Sequence, residues 1–200
     1  MSRSIGFDAI AAAAVIASFE AVRSGRGARM DAAIADVAAR PLGHGIDRVV
    51  AAATDLGSVY ALAGATSTLA LLGRRRLARD VLGAGLIAWG LAQGAKPLAG
   101  RDRPYQADGA DRLVAEPAGS SWPSGHVAVA TAVGAAAATG HGRAARRLGT
   151  GLALFVGASR VYVGVHYPTD VFGGLGVGWL SARLWQRASQ RGDRAGGRSG

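Results

Sequence analysis

Residues 125–140 read GHVAVATAVGAAAATG, and only His126, Thr131 and Thr139 among them are polar. No apolar stripe can be drawn through the stretch, because Val, Ala and Gly fall on every side of a helix. A helix that is apolar all round is buried on all sides, in lipid or in a helical core. Similar blocks recur at 7–22, 57–73, 80–98, 148–165 and 169–186. Each suits a helix of about 16–19 residues, near the lower limit for crossing ~30 Å of hydrocarbon. Their glycines (Gly83, Gly85, Gly173, Gly174, Gly176, Gly178) would weaken a soluble helix but let membrane helices approach closely. The expected fold is therefore all-α, a polytopic membrane bundle of six transmembrane helices. A soluble helical protein with an Ala-rich core is the alternative.

Composition narrows the function. Half of the 200 residues are hydrophobic and 18% are charged, which excludes a disordered chain. Cysteine is absent, which excludes disulfide frameworks, zinc–thiolate sites and thiol catalysis. The formal charge of +10 is compatible with nucleic acid or an anionic membrane surface. Of the 23 basic residues, Lys96 is the single lysine.

The distribution of that charge favours the membrane. Gly73–Asp80 carries Arg74, Arg75, Arg76 and Arg79; His141–Gly149 carries Arg143, Arg146 and Arg147; the tail carries Arg187, Arg191, Arg194 and Arg198. Counting blocks as spans puts all three on one side, which the positive-inside rule makes cytoplasmic. Ala99–Pro123, with three Arg against four acids, falls outside with His166–Thr169. Arg23–Arg48 also falls outside despite five Arg and three Asp. Its Met30, Ile34, Val37 and Ala38 recur at helical spacing, as in an amphipathic helix lying in the interface. The first block carries Asp8 and Glu20 near its ends and resembles an uncleaved signal-like segment. It has no obvious small-residue cleavage site. The expected organisation is 1–48 as an N-terminal span plus interfacial segment, 49–186 as a catalytic transmembrane domain, and 187–200 as a disordered basic tail.

Polar residues border the blocks in three clusters. Lys96-Pro-Leu-Ala-Gly-Arg-Asp-Arg103-Pro104 ends the third block, Ser121-Trp-Pro-Ser124-Gly125-His126 opens the fourth, and Ser159-Arg160 with His166 and Asp170 spans the fifth and sixth. An Arg within an apolar stretch is costly, so Arg160 should face a polar site. Pro-Ser-Gly-His before a helix-forming run offers free N–H groups, a positive dipole and a glycine that lets an anion approach. With Lys96, Arg103 and Arg160 it describes a phosphate or oxyanion site, although Ser124 alone could simply cap the helix. Pro168 suits a helix start, placing Asp170 in the first turn beside His166. A carboxylate there can fix the imidazole tautomer of a nucleophilic His166. His126 can then serve as general acid for the leaving oxygen.

These clusters resemble the signature of the type 2 phosphatidic acid phosphatase superfamily: Lys-x6-Arg-Pro, Pro-Ser-Gly-His and Ser-Arg-x5-His-x3-Asp. Every defined position is filled, in order and at the family's spacing, over about Val49 to Trp185. The resemblance implies a helical bundle of the lipid phosphatase and vanadium haloperoxidase type. It implies that Lys96, Arg103, Ser124, Gly125 and Arg160 bind phosphate. His166 would form a phosphohistidine oriented by Asp170, and His126 would protonate the leaving group. It implies no metal and no cofactor, because the cations stabilise the transition-state charge.

The expectation is thus a membrane lipid phosphatase acting on a phospholipid or polyprenyl (di)phosphate. It would sit in the bacterial cytoplasmic membrane among membrane lipids, with the site facing outward. The stretch Tyr105–Ser121, with Asp108, Asp111 and Glu116, would shape the entrance. The alternatives are a soluble acid phosphatase or vanadate-dependent haloperoxidase, and a non-enzymatic basic membrane or nucleic-acid-binding protein. Aromatic residues make up only 6% of the chain and are not interleaved with the basic ones, so a nucleic-acid partner is not expected.

Overall fold

The computed structural model describes residues 2–107, 109 and 111–196. Asp108 and the tail residues 197–200 lie outside the described residues. Helices follow one another as α1 (Ser2–Ser24), α2 (Ala28–Ala38), α3 (His44–Ala53), a 3-10 turn η1 (Thr54–Gly57), α4 (Val59–Leu71), α5 (Arg75–Ala99), α6 (Pro104–Ala107), α7 (Gly125–Ala138), α8 (Arg143–Tyr162) and α9 (Pro168–Gly196). No strand occurs among the described residues. The chain is all-α, as its all-round apolar blocks imply.

The stretch at 125–140 becomes α7, the hub of the bundle, packed against α5, α8 and α9. Its Val127, Ala128, Val129, Ala130 and Ala132 are all but completely buried. The interior is built from small residues. Ala84, Ala88 and Ala92 of α5 meet Ala128, Ala132 and Ala136 of α7 in one cluster. Between α7 and α8 the closest approach is at Gly134 and Gly149. A Cβ added to Gly134 would lie 2.7 Å from the Gly149 carbonyl oxygen, so only glycine fits there.

Large apolar side chains point the other way. Leu71 and Leu148 are at least three-quarters exposed, and Phe7, Ile10, Leu154 and Phe172 are more than half exposed. Large apolar side chains exposed in this number are uncommon on a soluble monomer. Small residues between helices and large apolar ones around them suit a bundle in lipid.

The span pattern differs in detail from the six blocks. Within α1, Ile5–Ser24 is long and apolar enough by itself to cross a membrane. The residues His44–Gly57 and Val59–Leu71 qualify only as a pair, bent by 68°. Block 57–73 holds one helix, α4, of 13 residues, and the bend falls at its start: Ser58, whose Oγ accepts from the Ala61 N–H, begins α4 afresh after η1. The long helices α5, α8 and α9 carry Arg, Gly and polar positions that lower their mean hydropathy. Beyond Trp185, α9 runs on to Gly196, past the expected boundary of the tail. The Arg, Gln and Ala of that stretch are good helix formers, so propagation costs little.

The bundle has two distinct ends. At one, Asp8 of α1 accepts from Arg183, Arg187 and Trp179 of α9, and Asp80 of α5 accepts from Trp185. Gln186 reaches Thr139 at the end of α7. The Arg-rich segments 73–80 and 141–149 gather there. At the other end Phe19 of α1 stacks on Trp122, with ring centroids 5.2 Å apart, and the three polar clusters meet. Helix α2, at this second end, leaves Met30, Ile34 and Val37 exposed and buries Asp31 and Ala35.

Candidate active site

Each polar cluster reaches the site because a helix ends or begins there. Helix α5 stops at Gly100, whose φ of 58° turns the chain out of the helix after Lys96. The chain then runs through Arg101 to Arg103 before α6. Arg103 is 1% exposed. Its Nη1 donates to the Val165 carbonyl at 2.9 Å and lies 3.4 Å from His166 Nε2. Its Nε donates to the Gly119 carbonyl at 3.2 Å. Lys96 Nζ donates to the Ser120 carbonyl at 2.7 Å. Both cations thus rest on backbone carbonyls of the loop 118–120.

Arg160 lies in the last turn of α8 and Ser124 is the N-cap residue of α7. Ser124 makes no capping bond, so a plain capping role is not what the structure displays. Its Oγ and Arg160 Nε are buried and have no hydrogen-bond partner in the protein. Buried polar atoms are normally paired. A phosphate oxygen would pair both. Lys96, Arg103 and Arg160 are close enough to repel one another, a cost that an anion among them would relieve.

His166 lies in the short connection between α8 and α9, and Pro168 begins α9 as expected. Asp170 Oδ2 is 3.4 Å from His166 Nδ1. It also accepts from Ser121 Oγ at 2.5 Å and from the Tyr167 N–H at 2.8 Å. One ring nitrogen faces a carboxylate that can only accept, and the other faces a guanidinium that can only donate. The network therefore assigns the proton to Nδ1 and a lone pair to Nε2, aimed among the cations. Burial, reinforced by Arg103 and Arg160 and only partly offset by Asp170, holds the His166 imidazole well below its ordinary range. The ring is neutral at pH 7, the nucleophilic form.

His126 lies one residue into α7, its Nε2 3.5 Å from Asp55 Oδ1. Asp55 is presented by η1, which is pinned beside the site by a buried Thr54–Ser159 hydroxyl bond of 2.8 Å. Gly57 allows η1 to press on the His126 carbonyl, where a Cβ would come within 2.5 Å. All eight residues singled out from the sequence thus lie at one end of the bundle.

Five partners had no role assigned from the sequence. Ser121 stood in a quoted motif without a role. Asp55 is 71 positions from His126. Arg101 donates to Asp170 Oδ1 at 2.9 Å and to Asp31 Oδ2 at 2.7 Å, and it lies 4.0 Å over the Tyr167 ring. Thr169 also donates to Asp31. Of these, Arg101 could have been suspected, since it shares the loop of Arg103; Asp31 could not.

Residues 53–193 match the model of the PAP2 superfamily. The chain belongs to the PAP2 superfamily. Among solved structures, this PAP2 member is similar to a transmembrane PAP2 type phosphatidylglycerolphosphate phosphatase from Bacillus subtilis. The TM-score is 0.76 at 24% identity, covering 88% of this chain and 92% of that one. It is also similar to LpxE of Aquifex aeolicus, with a TM-score of 0.70 at 22% identity, covering 79% of this chain and 95% of the other. At these identities the likeness is one of fold. No curated protein matches the chain.

Proposed function

We propose that this PAP2 member is an integral-membrane phosphatase that hydrolyses a lipid phosphate or polyprenyl (di)phosphate through a phosphohistidine. The observation that carries the reading is the pair of unpartnered buried donors, Arg160 Nε and Ser124 Oγ, beside the lone pair of His166. Lys96, Arg103, Arg160, Ser124 Oγ and the Gly125 N–H hold the phosphoryl oxygens. His166 Nε2 attacks phosphorus as the P–O bond to the lipid breaks, and His126 gives its proton to the departing oxygen. Asp170 balances the positive charge that the ring acquires, with Nδ1 still protonated. His126 then takes a proton from water, whose oxygen attacks phosphorus, breaks the P–N bond and releases inorganic phosphate.

The preorganised cations stabilise the transition-state charge, so the proposed reaction requires no metal. The Arg-rich end, opposite the site, suits the cytoplasm, which supports a site at the outer face.

The test is phosphate release in detergent from phosphatidic acid, phosphatidylglycerophosphate, undecaprenyl or decaprenyl diphosphate and a polyprenyl-phosphoryl sugar phosphate. Activity on at least one lipid is expected to fall by about 10³-fold or more in His166→Ala, as when a nucleophile is removed. It should persist in EDTA. Full turnover by the variant would refute the phosphohistidine.

A further inference from the structure

Asp31 lies outside the family-matched residues 53–193, yet it is 4% exposed and bonded into the site. Its Oδ2 accepts from Arg101 Nη2 at 2.7 Å and from Thr169 Oγ1 at 2.5 Å. Its Oδ1 accepts from the Thr169 N–H at 3.2 Å, an otherwise orphaned donor in the first turn of α9. Arg101 Nη1 meanwhile donates to Asp170 Oδ1 at 2.9 Å. One guanidinium is therefore shared by two buried carboxylates, whose side chains are 5% and 0% exposed.

The sharing decides how much charge Asp170 can offer His166. With Asp31 ionised, the trio Asp31–Arg101–Asp170 carries one net negative charge. That balances the cation on His166 once Nε2 bonds to phosphorus. Without the Asp31 charge, Arg101 would cancel Asp170 alone and leave the imidazolium uncompensated, with Lys96, Arg103 and Arg160 also near. In a buried site that difference is weakly screened.

We infer that Asp31 is a positioning residue for catalysis: acting through Arg101, it leaves Asp170 free to orient His166 and to balance its charge. The inference rests on the phosphohistidine reading above. It makes α2, with Met30, Ile34 and Val37 turned outward, part of the machinery rather than a surface appendage.

Three forms of the full chain are compared in detergent: wild type, Asp31→Asn, and Asp31→Asn with Arg101→Gln. Turnover is read together with calorimetric binding of orthovanadate, which takes a transition-state-like geometry on the histidine, and of inorganic phosphate, which needs only the cations. In Asp31→Asn, kcat and vanadate affinity should each fall about tenfold, a typical coupling within a buried network, with KM and phosphate affinity nearly unchanged. The double variant restores the net negative charge and should regain most of the loss, which a merely structural role would not allow.

Unchanged vanadate affinity in Asp31→Asn, an equal loss of phosphate binding, or a double variant as impaired as the single would overturn the inference. Should Asp31→Asn fail to fold, the double variant still decides, because its Asp170 keeps the hydrogen bonds from Ser121 and the Tyr167 N–H that hold a buried carboxylate. Vanadate binding without phosphate release from any lipid would count against the phosphatase reading alone.

Discussion

Arg160 is a guanidinium 2% exposed, with its Nε bonded to nothing in the protein and Arg103 repelling it. Such an arrangement costs stability in the free protein, a cost that the proposed function explains by complementarity to a phosphoryl group. Arg160→Met, which keeps much of the volume and removes the charge, is therefore expected to act oppositely on the two properties. Its kcat/KM should fall by roughly 10²–10³-fold, as for loss of a transition-state donor. Its Tm in detergent should equal or exceed that of wild type, because a buried charge repelled by Arg103 and only partly offset by Asp55 has gone. Arg160→Lys should recover little of the activity, since an ammonium lacks the planar fork of donors. A variant that lost both activity and stability would show that Arg160 has structural partners after all.

Helices α7 and α8 hold Ser124 and Arg160 in register, and the spacing between them is set by Gly134 against Gly149. A methyl on Gly134 has backbone 2.7 Å away, which cannot give as a flexible side chain would. Gly134→Ala should therefore destabilise by about 1–3 kcal/mol, the usual cost of overpacking, and should lower activity by moving Arg160. Gly151, on the same helix α8, has nothing within 4 Å. Gly151→Ala should leave Tm and turnover unchanged or raise Tm slightly. Thermal shift and phosphate release on the pair check this.

At this scale the sequence was informative where local chemistry decides. Pro168 starts α9, Ser124 precedes α7, and the all-round apolar run at 125–140 becomes the central helix. It was uninformative where tertiary contacts decide. Nothing near residues 54–58 announces a 68° break between two apolar helices. Likewise the Asp31–Arg101 pair joins residues 70 positions apart, so neither side chain could be given its partner from the chain alone.

The whole molecule places alanine and glycine inside, leucine and phenylalanine outside, and Arg-rich segments at the end remote from His166. The first two features suit lipid, and the third fits the proposed sidedness. Single cysteines at Ala107, near the site, and at Ala144, at the Arg-rich end, should react with an impermeant thiol reagent from opposite faces of sealed vesicles; the native chain has no cysteine to interfere. Labelling of both from one face would refute the proposed topology.

The central helix has a further consequence. With 14 residues, α7 rises about 21 Å, short of the ~30 Å of a hydrocarbon core, whereas its neighbours α5 and α9 have 25 and 29 residues. In the proposed topology the pocket at the start of α7 would therefore be recessed between longer helices, and a lipid phosphate would descend below the headgroup plane to meet His166. On that reading bilayer thickness, which sets how far the phosphate must move, would be a variable of the reaction alongside substrate concentration.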